Sequence, residues 1–171
     1  MTTVADPTAT PTFGSRYVFA TLDQTSLSAN IRLNWSFTPN LSLQLFAQPL
    51  ISSGGYTDYK ELAQPNTYSF AHYGENGSTF DPATLRIDPD GPGPAPAFTV
   101  DRPDFNFKSL RGNAVFRWEY GPGSTFFLVW TQERTETDDT GEFRLGPDTR
   151  RLLKADANNI FLAKLSYYFS L

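Results

Sequence analysis

The sequence contains no cysteine, one methionine and one histidine. Without cysteine the chain has no disulfide framework, no thiol nucleophile and no thiolate metal site. Basic residues are also sparse: 14 Lys and Arg stand against 18 Asp and Glu, a net charge of -4. That balance supplies no basic patch for nucleic acid. Nowhere does an apolar run approach the roughly eighteen residues that a membrane helix requires. This excludes a helical membrane protein only, because strands of a membrane barrel place apolar residues at every second position and look hydrophilic to a hydropathy window. Hydrophobic content is correspondingly low at 39%, under the usual soluble average.

Aromatic residues are plentiful, at 15% of 171 positions, with 15 Phe, 8 Tyr and 3 Trp. The length fits a single domain. Much of it alternates with a period of two, the pattern of a β-strand with one apolar and one wet face. Between residues 26 and 37 the apolar face is Leu27, Ala29, Ile31, Leu33, Trp35 and Phe37, and the other is Ser26, Ser28, Asn30, Arg32, Asn34 and Ser36. Such a strand, at about 3.3 Å per residue and tilted by about 40°, crosses roughly 30 Å, a bilayer's hydrocarbon thickness. After a turn at Thr38-Pro39-Asn40, Leu41, Leu43, Leu45 and Ala47 continue the apolar face, and Pro49 is expected to end the strand. Residues 107–120 alternate likewise, and Gly121-Pro122-Gly123-Ser124 forms a second turn. In 125–134 both faces begin apolar, and the Trp130 face is assigned to lipid. The closing stretch, 161–171, alternates to the last residue.

The remaining segments read as connections. Residues 1–15 are Thr-, Pro- and Ala-rich, a disordered lead-in to a segment running from 16 to 171. Residues 16–22 are a short strand or the upper part of the next one. Long loops are expected at about 50–104 and 135–157, with 56–62 or 98–100 inside the first open to short strands or a helical turn. Turns and long loops thus alternate strictly, placing both turns and the C-terminus on one side, as a barrel ending in the periplasm requires. Outward aromatics gather at that side: Trp35, Phe37, Trp118, Tyr120, Tyr167 and Phe169, the candidates for an interface girdle. The opposite face carries Arg32, Arg111, Arg117, Glu119 and Lys164, which suit a wet lumen. The arginines are expected to pair with interior carboxylates such as Glu119, the alternative being that they bind an anionic solute in the lumen.

The fold class expected is therefore all-β: an antiparallel meander of long strands forming the C-terminal segment of a transmembrane, outer-membrane-type β-barrel. Five clear strands are too few and odd in number for a single-chain barrel, and an open sheet in lipid leaves edge groups unsatisfied. The missing strands are expected upstream in a longer parent protein, or on other chains. The N-terminal MTTVADPTATPTFG has neither the basic start nor the apolar core of a signal peptide, so Met1 is expected to be a fragment start.

Three segments, RYVFATLDQTSLSANIRLNWSFTPNLSLQLFAQPLISSGGY, DFNFKSLRGNAVFRWEYGPGSTFFLVW and NNIFLAKLSYYFSL, together resemble the C-terminal end of a large bacterial family of unknown function. Its members resemble a carbohydrate-binding-like β-sandwich joined to an outer-membrane-type β-barrel. The resemblance implies the outer membrane of a Gram-negative bacterium, lipid as a partner, a preceding sandwich with earlier barrel strands, and no catalytic residues.

The residues themselves support no chemistry. His72 lies alone in a loop, and no Ser or Cys sits in a nucleophile motif. Asp81, Asp88, Asp90, Asp101 and Asp104 match no EF-hand spacing, and Gly91-Pro92-Gly93 is no phosphate cradle. Tyr56, Tyr59, Tyr68, Phe70 and Tyr73 are read as loop-packing aromatics that could otherwise stack on sugar. The expected function is a structural or transport barrel segment, not an enzyme, with no cofactor, metal or nucleic acid. The alternative is a soluble β-sandwich module, with carbohydrate as its ligand.

Overall fold

The computed structural model describes residues 2–169. In chain order these form β1 (Thr2–Ala5), a 3-10 turn (Thr10–Thr12), β2 (Ser15–Ser28), β3 (Ile31–Thr38), β4 (Leu41–Leu62), β5 (Phe70–His72), β6 (Thr79–Asp81), β7 (Arg86–Asp88), β8 (Phe98–Thr99), β9 (Phe105–Gly121), β10 (Ser124–Asp138), α1 (Leu145–Lys154) and β11 (Ala157–Ser166). The fold is all-β, an antiparallel meander of long strands, as the alternation requires. Its main sheet has the hydrogen-bonded order β1-β2-β4-β9-β10-β11, with β3 and β5 also paired to β4, and β6-β7-β8 form a small second sheet. The chain divides into two compact units. Unit 1 comprises Met1–Gln24 and Gly54–Asp104; unit 2 comprises Thr25–Ser53 and Phe105–Leu171.

Unit 2 is built on two tight hairpins. Trp35 pairs with Leu43 and Ile31 with Ala47 around the turn at Pro39-Asn40. Trp118 pairs with Phe126 and Leu110 with Arg134 around the turn at Pro122-Gly123. Gly123 has φ +74°, and a Cβ there would lie 3.2 Å from the Cβ and Cγ of Tyr168. Both the backbone conformation and the close approach therefore select glycine.

Pro49 does not end its strand, because β4 runs through it to Leu62. The reason lies opposite. Ala29 donates its N–H to the Pro49 carbonyl at 3.1 Å, and Pro49 has no N–H to return. The partner strand breaks at that point, between Ser28 and Ile31, so the unbroken strand expected over 26–37 is two, separated where the ladder loses a donor. Beyond the break Ser26 and Ser52 join by their hydroxyls at 2.7 Å, in the same register as Ile31 with Ala47. Asp23-Gln24 does not interrupt β2, so 16–22 is the upper part of one long strand.

The closing strand also differs from expectation. It starts at Ala157, ahead of residue 161, and ends at Ser166. Ser166 is paired with Thr125, the second residue of β10, and beyond it the Tyr168 N–H goes to the Ser124 hydroxyl at 3.1 Å, so the ladder stops even though the alternation continues. The expected strand's last residues, Ser170 and Leu171, lie outside the described residues.

The loop expected over 135–157 finishes β10 and then forms α1. Gly146 and Pro147 sit in the first helical turn, where a missing N–H costs nothing. Asp148 accepts the Arg144 N–H at 2.7 Å, and Leu152 is buried. Charge along this stretch masks a helix whose buried residues are Asp148 and Leu152.

Unit 1 holds the apolar core: Val18, Tyr59, Leu85, Ile87 and Val100, with Tyr56, Tyr73, Phe80 and Phe98 packed around them. The expected loop of 50–104 thus begins within β4, in which 56–62 is strand and not a helical turn, and its remainder folds as β5 and the β6-β7-β8 sheet. The described part of 1–15 is ordered too. β1 pairs with β2, Thr2 opposite Val18 and Ala5 opposite Ser15. Buried Asp6 accepts from Arg16 Nε at 2.6 Å and from the Thr8 N–H and hydroxyl at 2.9 and 2.7 Å. Arg16 also pairs with Glu61 at 2.6 Å. A composition poor in apolar residues hid this anchor, which is ionic.

Burial alone would push the Asp6 carboxyl up, but bonds from Thr8 and Arg16, with the Arg16 charge, outweigh it and hold the group below the usual carboxylate range. Because folding lowers this pKa, its contribution to stability is complete above about pH 4 and is lost as pH falls further. Acid titration of the N-terminal strand, followed by amide exchange at Val4, should show protection lost below about pH 4. Asp6→Asn should remove that protection at neutral pH as well.

Candidate functional site

Two faces of unit 2 carry whatever this sheet does. On the first, strand register assembles apolar rows: Trp35 with Leu43 and Leu33 with Leu45, and Trp118-Phe126-Leu165, Phe116-Leu128-Ala163 and Ala114-Trp130-Phe161. The face is bare. Ile31 and Trp35 are more than half exposed, and Phe161 and Leu165 more than two thirds. Soluble domains rarely expose contiguous apolar area beyond a few hundred Å². All three tryptophans of the chain, Trp35, Trp118 and Trp130, lie on this face.

The aromatics predicted as a girdle occur where the strands meet the turns. Trp35 and Phe37 stack at 4.8 Å, Trp118 and Tyr120 meet edge-on at 5.9 Å, and Tyr167 and Phe169 at 4.7 Å. The Glu119 N–H bonds the Asn40 carbonyl at 2.8 Å, and Tyr120 donates its hydroxyl to the Ser166 carbonyl at 2.9 Å. The first turn, the second turn and the end of β11 therefore share one end of the sheet.

At the other end the same face turns polar. Lys108 and Asn106 follow Leu110 on β9, while Arg134, Glu136 and Asp138 follow Trp130 on β10. Lys108 is wholly buried, and its Nζ reaches Glu136 at 2.5 Å and Asp138 at 2.9 Å. Asp138 also holds Arg151 of α1 and the Thr140 hydroxyl, and Arg134 donates to the Leu153 and Ala155 carbonyls. The Asn106 amide donates to the Glu142 carbonyl at 2.7 Å and to Asp148 at 3.2 Å. This network fastens residues 139–155 over the strand ends. It escaped sequence analysis because Lys108 falls on the apolar face, and only its register with Glu136 reveals a partner.

The opposite face is wet. Arg111 pairs with Glu133 at 2.8 Å and Arg117 with Glu119 at 2.9 Å, so the expected pairing with Glu119 is made by Arg117 while Arg111 takes Glu133. Phe127 sits between Arg117 and Lys164, and Val129 between Val115 and Leu162. The apolar start of 125–134 thus divides between the faces, with Trp130 on the bare one. Arg32 and Lys164 have no carboxylate partner among the described residues. The Arg32 guanidinium lies over the Phe46 ring at 5.4 Å, beside a groove of about 430 Å³ lined also by Asn34, Gln44 and Asn113.

Unit 1 has its own polar cluster. Asp58, in the left-handed region at φ 53°, accepts from Lys60 Nζ at 2.6 Å, from Thr21 at 3.0 Å and lies 2.5 Å from His72 Nδ1. The Lys60 and His72 bonds hold its carboxyl at about 2. Asp81, Asp88, Asp90 and Asp104 each bond a nearby N–H within unit 1: those of Ala83, Gly91, Ala95 and Tyr56. Asp101 is exposed. Among the described residues no three His, Cys, Asp or Glu side chains group as metal ligands. Tyr56, Tyr59 and Tyr73 belong to the core, Phe70 packs on Phe19 at 5.4 Å, and Tyr68 is almost fully exposed.

Replacing Lys108 with Met should leave Glu136 and Asp138 facing each other without their shared cation, a loss of about 3 kcal/mol. Trypsin should then cut after Arg144, Arg150 or Arg151 many times faster than in the parent protein. An unchanged cleavage rate would mean that α1 is fastened by something else.

No curated protein and no solved structure matches this chain. Residues 8–171 match the family described as Domain of unknown function (DUF5916). That match covers nearly the whole sequence, and the chain belongs to the DUF5916 family.

Proposed function

We propose that unit 2 is a segment of an outer-membrane-type β-barrel with a structural or transport role in a Gram-negative outer membrane. Lipid covers the apolar rows, and the rows carrying Arg32, Arg111, Arg117, Glu119 and Lys164 face the lumen. The observation that carries this reading is the bare apolar band. On β2 and β3 it extends from Leu27 to Phe37, with Leu27, Ile31, Leu33, Trp35 and Phe37 each between 45% and 56% exposed. At about 3.3 Å per residue and a tilt of about 40°, that run is about 25 Å high, matching the apolar band of outer-membrane barrels.

Three further features support it. The band ends in aromatics on the turn side, as an interface girdle does. On the other side it gives way to the Lys108 network, which would be out of place in hydrocarbon but fits a strand end in water. The outer edge of β11 has no partner strand among the described residues, and in lipid such an edge must be paired. Upstream strands of the same parent protein, or other chains, supply that pairing in this proposal.

Single cysteines at Leu33 and Asn34 in the intact protein test the assignment. A lipid-phase quencher should reach a label on Leu33→Cys, and a water-soluble thiol reagent should modify Asn34→Cys. If residue 33 is shielded from both water and lipid, the apolar face is a protein core and the soluble sandwich, with carbohydrate as its candidate ligand, replaces the barrel.

A further inference from the structure

The wet face of unit 2 runs against the charge of the chain. Its strand positions carry four cations, Arg32, Arg111, Arg117 and Lys164, against two carboxylates, Glu119 and Glu133, although the whole chain carries -4. Register explains which charges are spent. Arg111 is opposite Glu133, and Arg117 is joined to Glu119 two residues on. The excess therefore resides on Arg32 and Lys164.

Arg32 is the better placed to meet a solute. It is opposite Phe46 in the β3–β4 ladder, and the ring under its guanidinium supports the cation without neutralising it. Its neighbours on the same face, Asn34 and Gln44, are themselves opposite one another, and with Asn113 they line the groove beside it. Three primary amides can donate to an oxyanion while remaining neutral, and the planar guanidinium supplies paired N–H groups in the geometry of a carboxylate or phosphate. No carboxylate lines this groove to compete for the cation.

We propose that this face is an anion path, with Arg32, Asn34, Gln44 and Asn113 forming a contact site for small carboxylates or phosphate. Lys164 adds a second, unneutralised cation on the same face. The proposal rests on the barrel reading, since only a lumen makes this face a path. It goes beyond that reading by fixing the sign of the solute and the residue that selects it.

The test uses the intact protein in planar bilayers under a potassium chloride gradient, after heat-modifiable mobility has shown a folded, inserted barrel. The reversal potential should report preference for chloride. Arg32→Glu should lower the chloride-to-potassium permeability ratio severalfold, and Lys164→Glu should lower it by less. Inorganic phosphate should reduce the chloride current of the parent protein and lose that effect in Arg32→Gln. Cation preference, or a ratio and a phosphate effect unchanged by the Arg32 substitutions, overturns the anion site and leaves the barrel standing. An inserted barrel that passes no ions does the same. A protein that does not insert overturns both.

Discussion

Everything in unit 2 depends on one constraint: a β-strand sends successive side chains to opposite faces, so an apolar set gathered on one face must be covered by something other than water. Rows such as Trp118-Phe126-Leu165 and Ala114-Trp130-Phe161 gather that set, and among the described residues nothing is packed over it. Unit 1 meets the same constraint differently. It closes β6, β7 and β8 around Ile87 and Tyr59 and buries Val18, Leu85 and Val100 with them. One chain thus contains a unit with an internal core and a unit whose apolar surface faces outward. A soluble function accounts for the first but leaves the second unexplained.

The limits of the bare face are set by ions as much as by hydrophobes. At the strand end away from the turns, Lys108 takes a position that alternation reserves for an apolar residue, and Glu136, Asp138 and Arg151 collect around it. Buried ion pairs give little net stability against an apolar replacement, yet removing one partner is costly. Their effect here is positional: they fix where the apolar rows stop and hold α1 over that end. Asp6 with Arg16 does comparable work in unit 1, where it fastens the N-terminal strand.

Much of this was legible in the sequence, for a definable reason. Period-two patterning over Leu27 to Phe37 and Leu110 to Tyr120 is a local property, so strand identity, the two tight turns and the division of faces could be read directly. Pairing is not local. That Pro49 falls opposite the break after Ser28 depends on the register between β2 and β4, and that β11 stops at Ser166 depends on how its end meets Ser124 of β10. The helix α1 was hidden because its support, Asp148 and Leu152 against the strand ends, is tertiary. The pairing of Arg111 with Glu133 needed the β9–β10 register. Arg117 with Glu119, two residues apart on one strand, did not.

The most direct measurement of the central claim uses the three tryptophans of the bare face. Trp130 is level with Ala114, while Trp118 is four residues nearer the turns on β9, about 10 Å in depth for a strand tilted by about 40°. In single-tryptophan versions of the intact protein in bilayers, bromine deep in the acyl chain should quench Trp130 most strongly. Bromine near the headgroups should quench Trp35 and Trp118 more. If aqueous iodide quenches all three and brominated lipid none, the face meets water or protein, and a lipid-facing barrel wall is ruled out.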